Sequence, residues 1–122
     1  MKKAFPHYRQ PDSKDCGPTC IRIVAKHYGK LHSLQYLRDL SETGRDGSSL
    51  LGLSDAAETI GFRTLAVKIN ALKLLETPLP CILHWNKEHF VVLYHIKKTK
   101  KDTTYYISDP AYGLLELSLI HI

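Results

Sequence analysis

The stretch Gln10-Pro11-Asp12-Ser13-Lys14-Asp15-Cys16-Gly17-Pro18-Thr19-Cys20 sets where the first helix begins and puts a thiol at that point. Downstream of it Cys20, Ile21, Val24, Ala25 and Tyr28 recur at helical spacing, Arg22 and Lys26 fall on the opposite face, and Gly29 supplies a stop. Asp15 stands where an N-cap belongs. Pro18 is tolerated only in a first turn, where its missing N–H removes no intrahelical bond, so the helix must start near Cys16. A thiol there feels unpaired backbone N–H groups and the positive end of the macrodipole, which favours the thiolate and raises its nucleophilicity at neutral pH. Gln10, a short loop away, can turn its side-chain amide toward the sulfur and donate to a developing oxyanion.

Outward from this stretch the first half reads as helical. A second short helix is expected over 33–41 on Leu34, Leu37 and Leu40. A third, capped by Ser48 or Ser49, carries Leu50, Leu53, Ala57 and Ile60 and ends at Gly61. After Gly61 the pattern changes. Residues 62–69 read as a strand, 70–76 as a helical turn, and Pro78 and Pro80 lead into apolar runs at 81–85 and 89–96, separated by the hairpin signal Asn86-Lys87-Glu88. Two more strands are expected over 104–108 and 114–119, either side of a turn at Asp109-Pro110-Ala111-Tyr112-Gly113. Helices first and an antiparallel sheet second is the order of an α+β domain.

At 122 residues the chain is most simply one domain, large enough to bury roughly two-thirds of its unfolded surface. Its 43% hydrophobic and 24% charged content is that of a globular protein, and no stretch approaches the ~18 consecutive apolar residues needed to span a bilayer. Three cysteines, Cys16, Cys20 and Cys81, and no long apolar segment after Met1-Lys2-Lys3 point to a reduced, cytosolic setting. The net charge of +5 is spread along the chain. Only Lys97-Lys98-Thr99-Lys100-Lys101 is dense, and its strand-like flanks make it a solvated hairpin tip. Aromatic and basic residues do not interleave as a nucleic-acid platform would require, which argues against nucleic acid as a partner.

A cysteine nucleophile needs a base. His89 stands at the mouth of the apolar run His89-Phe90-Val91-Val92-Leu93, where a rigid strand can aim an imidazole while the adjacent loop leaves access to substrate. An imidazolium beside a thiolate needs its other nitrogen held, and Asp109, stiffened by Pro110, comes at the end of the following strand. The bland readings go to other residues. His84 packs beside Trp85. His95 shares the face of His89 but lies about 20 Å along the strand. His7 is a surface residue, Cys20 and Cys81 are core, Asp12 caps or turns, Gly17 allows close approach of substrate, and Tyr105, Tyr106 and Tyr112 pack the sheet.

Together these residues resemble the peptidase domains of bacteriocin- and peptide-exporting ABC transporters, papain-like enzymes that cut double-glycine leader peptides. The resemblance runs from the 10–20 block through Gly52-Leu53-Ser54-Asp55-Ala56-Ala57-Glu58 and Gly61-Phe62 to His89-Phe90-Val91-Val92-Leu93 and Asp109-Pro110. It matches Gln10 to the family's oxyanion-hole glutamine, Cys16 to its nucleophile, His89 to its base and Asp109 to its histidine-orienting residue. It implies a papain-like α+β fold, with N-terminal helices packed on a C-terminal antiparallel sheet, and one cysteine peptidase domain over 1–122.

The implied substrate is the leader peptide of an exported precursor, cut after Gly-Gly or Gly and another small residue and docked by the apolar face of an amphipathic helix. Partners would be the transmembrane and nucleotide-binding domains of a transporter, at the cytoplasmic face of the bacterial inner membrane. The peptidase step requires no metal and no cofactor, ATP being used only by a separate nucleotide-binding domain. Members of the family continue past the aspartate into a longer strand and a membrane-spanning segment, so Ile122 is expected to be a domain boundary within a longer chain. Two other classes stay open: a non-catalytic leader-binding module of a transporter, and a thiol-redox or metal-binding domain using Cys16 and Cys20.

Overall fold

The computed structural model of the chain describes residues 4–85 and 89–118. A 3-10 turn, Ser13–Asp15, opens on Asp12, whose carboxylate accepts from the Lys14 N–H, and passes directly into α1, Cys16–His27. The next helices, α2 (Leu34–Leu40) and α3 (Leu50–Thr59), begin on Ser33 and Ser49, whose hydroxyls accept from the Tyr36 and Gly52 N–H groups. Each such cap is worth about 1 kcal/mol. A single turn, α4 (Ala71–Leu74), is capped in the same way by Asn70. Four antiparallel strands follow: β1 (Cys81–Trp85), β2 (His89–Lys98), β3 (Thr103–Asp109) and β4 (Gly113–Leu117). They form a meander in the order β1-β2-β3-β4, as an α+β domain with its helices first predicts. The expected hairpin at 86–88 and the end of the last strand at Leu119 lie outside the described residues.

The central strand β2 explains the architecture. Phe90 and Val92 point to one face and join Cys16, Cys20, Ile21, Ile23, Leu37, Leu53 and Ala56 of the helices. Val91 and Leu93 point to the other and join Leu74 of α4 with Leu83, Tyr105 and Ile107 of the neighbouring strands. Burial on both faces is why this run is continuously apolar and does not alternate. Helix α1 is packed by β2, α2 and α3, so Ile23 is fully buried although it lies off the expected stripe, while Tyr28 and Leu50 are exposed. The close α1–α3 approach also accounts for Gly17. A Cβ there would come within 2.8 Å of the Leu53 side chain, so helix packing favours the glycine beside the substrate approach read from the sequence.

Two further expectations are corrected. Residues 62–69 form no strand, and Leu65 and Val67 are exposed. Among the described residues no strand pairs with them, and strand-forming composition without a partner makes no ladder. Tyr112 does not pack on the sheet; it sits in the β3–β4 turn, 78% exposed.

Candidate active site

Antiparallel pairing of β2 with β3 sets the first residue of one strand at the same end of the sheet as the last residue of the next. That places His89 and Asp109 together, although 20 residues separate them. The His89 Nε2 and Asp109 Oδ1 atoms are 2.7 Å apart. Asp109 is buried and Oδ1 also accepts from the Ala111 N–H at 2.8 Å, so the carboxylate is anchored to the turn behind it. Helix α1 lies against β2 with its N-terminus at this end, and the Cys16 thiol hydrogen-bonds to the His89 ring. With Nε2 on Asp109, Nδ1 is the ring nitrogen left for the sulfur.

The electrostatics follow from these contacts. The Asp109 hydrogen bond, then that of Cys16, raises His89 from its ordinary 6.5 to about 9, against its partial burial. Burial alone would push the Cys16 thiol up. Bonds from His89 and from the Phe90 and Gly17 backbone outweigh it and hold the thiol below its ordinary value. Both changes favour a thiolate–imidazolium pair. Cys20 behaves oppositely: fully buried, it is driven upward by desolvation and then by Cys16 and Asp109, as a packing residue would be. Burial likewise pushes Cys81 up to about 11.

Gln10 reaches this corner by way of the N-terminal segment. Its backbone N–H donates to the Pro110 carbonyl at 2.9 Å, directly after Asp109. Its side-chain Nε2 donates to the Asp12 carbonyl at 3.0 Å, which occupies one of the two amide protons, and its buried Oε1 has no partner among the described residues. Two more bonds strap this segment to β3: Ser108 Oγ donates to the Pro6 carbonyl at 3.0 Å and His7 Nε2 to the Asp109 carbonyl at 2.8 Å. His7 is therefore half-buried support for Asp109, where the sequence reading left it on the surface.

The rival histidines separate cleanly. His84 stacks on Phe90, with ring centroids 4.4 Å apart, and helps line a cavity of about 490 Å³ that opens beside Cys16. Lys14, Arg45, Asp46 and Gly47 form other parts of its wall. His95 does not share the face of His89. A bulge between Leu93 and His95 inverts the alternation and leaves His95 exposed.

The profile of the Peptidase C39 family matches residues 4–121. The chain belongs to the peptidase C39 family. This C39 chain is 34% identical over 119 residues to the colicin V secretion/processing ATP-binding protein CvaB of Escherichia coli, covering 96% of the chain and 16% of CvaB. It is 38% identical over 125 residues to the lactococcin-G-processing and transport ATP-binding protein LagD of Lactococcus lactis subsp. lactis, covering 98% of the chain and 17% of LagD. The C39 chain thus spans 16 to 17% of the length of these relatives.

Among solved structures, a double glycine motif protease from an AMS/PCAT transporter, in complex with the leader peptide, superposes with a TM-score of 0.85. It is 32% identical, with 93% of the C39 chain and 79% of that protein covered. The peptidase domain of Streptococcus ComA, a bifunctional ABC transporter involved in a quorum sensing pathway, gives 0.84 at 32% identity, with 94% and 87% covered. The fold is that of a papain-like C39 domain and the chain is a cysteine peptidase.

One feature of this C39 site is absent from the sequence reading. Asp15 does occupy the N-cap position of α1, but its side chain caps nothing. Both its oxygens go to Arg38 of α2, at 2.7 and 2.6 Å. Twenty-three residues separate the partners, and no spacing rule links them.

Proposed function

We propose that this C39 domain removes the leader peptide from a secreted precursor by cutting after a double-glycine type motif, at the cytoplasmic face of a bacterial inner membrane, joined to the transmembrane and nucleotide-binding domains of an ABC exporter. The observation that carries the proposal is the Asp109–His89–Cys16 chain of hydrogen bonds ending at a helix N-terminus. The solved double glycine motif protease in complex with its leader peptide supports the substrate class.

In this reading the Cys16 thiolate attacks the carbonyl carbon of the second glycine. The oxyanion is held by the second amide proton of Gln10 and the Cys16 backbone N–H. Imidazolium His89 gives its proton to the leaving amine as the C–N bond breaks, leaving a thioester on Cys16. Neutral His89 then takes a proton from water, whose oxygen attacks the thioester and releases the leader carboxylate and the thiol. Asp109 keeps the ring oriented and stabilises its charge throughout.

Incubation with a synthetic Gly-Gly leader substrate, followed by mass analysis, tests this. Cleavage after the second glycine, blocked by iodoacetamide and lost in Cys16→Ala with leader binding retained, is expected. Cleavage by Cys16→Ala would remove the nucleophile assignment. Binding without cleavage by the wild-type chain would leave a non-catalytic leader-binding module.

A further inference from the structure

Asp15 is a fully buried carboxylate that the peptidase mechanism does not use. It stands one residue before Cys16, and its side chain has no exposed surface. Aspartate at a helix start ordinarily turns its oxygens onto the first N–H groups. Here they point sideways into α2 and accept from Arg38: Nε to Oδ1 at 2.7 Å and Nη2 to Oδ2 at 2.6 Å. Nη1 of the same guanidinium donates to Gln35 Oε1 at 3.1 Å, which fixes the fork from behind. Burying a carboxylate is costly unless it is paired in good geometry, and the planar guanidinium is the side chain that meets both oxygens at once. Left bare, this carboxylate would repel a second negative charge forming on the adjacent residue's sulfur.

We propose that Arg38 is a positioning residue of the peptidase site: by holding both oxygens of Asp15 it ties α2 to the start of α1 and cancels a negative charge that would oppose the Cys16 thiolate. The inference rests on the reading of Cys16 as nucleophile. It carries a sign that a simple brace does not. Removing the cation leaves a bare anion one residue before Cys16; removing the anion leaves a bare cation; removing both restores neutrality. Other charged or titratable groups face this corner from every side. His89 and, behind it, Asp109 come from the sheet, Cys20 from α1, Asp12 and Lys14 from the preceding loop, and Asp39 from α2. Arg45, Asp46 and His84 stand around the cleft. All of these are unchanged in each variant, so differences among variants report the Asp15–Arg38 pair.

The test is the rate of iodoacetamide alkylation of the whole chain as a function of pH, read by mass spectrometry on the peptide that carries Cys16. Arg38→Gln is expected to move the half-maximal pH up by about one unit, and Asp15→Asn to move it down. The double variant returns near wild type, and Arg38→Lys, which keeps the charge but not the fork, falls between wild type and Arg38→Gln. Movement of both single variants in one direction, or of neither, overturns the proposal. Should Arg38→Gln fail to fold, Asp15→Asn decides alone, since a half-maximal pH at or above that of wild type is the refuting result. Wild-type alkylation away from Cys16 would defeat the nucleophile reading itself, and that outcome is seen before any variant is made.

Discussion

Asp109→Asn keeps the shape of the side chain that holds the His89 ring and removes its charge. In the wild-type site His89 is raised from 6.5 to about 9, with the Asp109 hydrogen bond the largest cause and the Cys16 contact the second. At 1.36 kcal/mol per pH unit the whole rise is worth roughly 3 kcal/mol, and solvent screening of the partly exposed ring brings the usable part to about half of that. Loss of the larger contributor therefore moves the imidazolium's titration down by about one pH unit. The assay is kcat/KM for a Gly-Gly leader substrate across the neutral and alkaline range. Activity rises as Cys16 ionises and falls as His89 loses the proton destined for the leaving amine, the two apparent values belonging to the coupled pair. The wild-type falling limb is expected near pH 9 and that of Asp109→Asn about one unit lower. An alkaline limb that stays in place in Asp109→Asn would refute the assignment of Asp109 as the group that holds His89.

Four other outcomes follow from the same structure. Gln10→Ala is expected to lower kcat/KM by about 10²- to 10³-fold, with leader affinity by titration nearly unchanged, because the lost proton is needed only for the oxyanion. Gly52→Ala is expected to cost about 1–3 kcal/mol in urea unfolding, since its Cβ would collide with the Ser41 carbonyl oxygen, a backbone atom with little room to move. Gly17→Ala, facing the more yielding Leu53 side chain, is expected to cost less. Because the folded-state value of His89 lies above its unfolded one, its stabilisation is complete below pH 6.5 and lost as pH rises through about 9. Wild-type melting temperature is expected to fall across that window, and His89→Gln to fall less.

The sequence determined the helices-then-sheet order and the start of α1, and it pointed to the candidate reactive groups. Pro18 permits only a first turn, so the thiol of Cys16 had to stand at a helix N-terminus. The apolar run after His89 had to be a buried strand, and the resemblance named His89, Asp109 and Gln10 before any geometry was known. These readings rest on local rules in which a residue and its near neighbours carry the information.

What the local rules do not reach are pairings across distance. The meeting of His89 with Asp109 depends on strand register, and the pairing of Arg38 with Asp15 on how α2 docks against α1. The support of Asp109 by His7 spans 102 residues. For the same reason 62–69 looked like a strand and is not one, for a ladder needs a neighbour that composition cannot supply. Side-chain chemistry is written residue by residue, but which of these groups share a low-dielectric corner, and so shift one another's charge, is decided only when the helices close over the sheet.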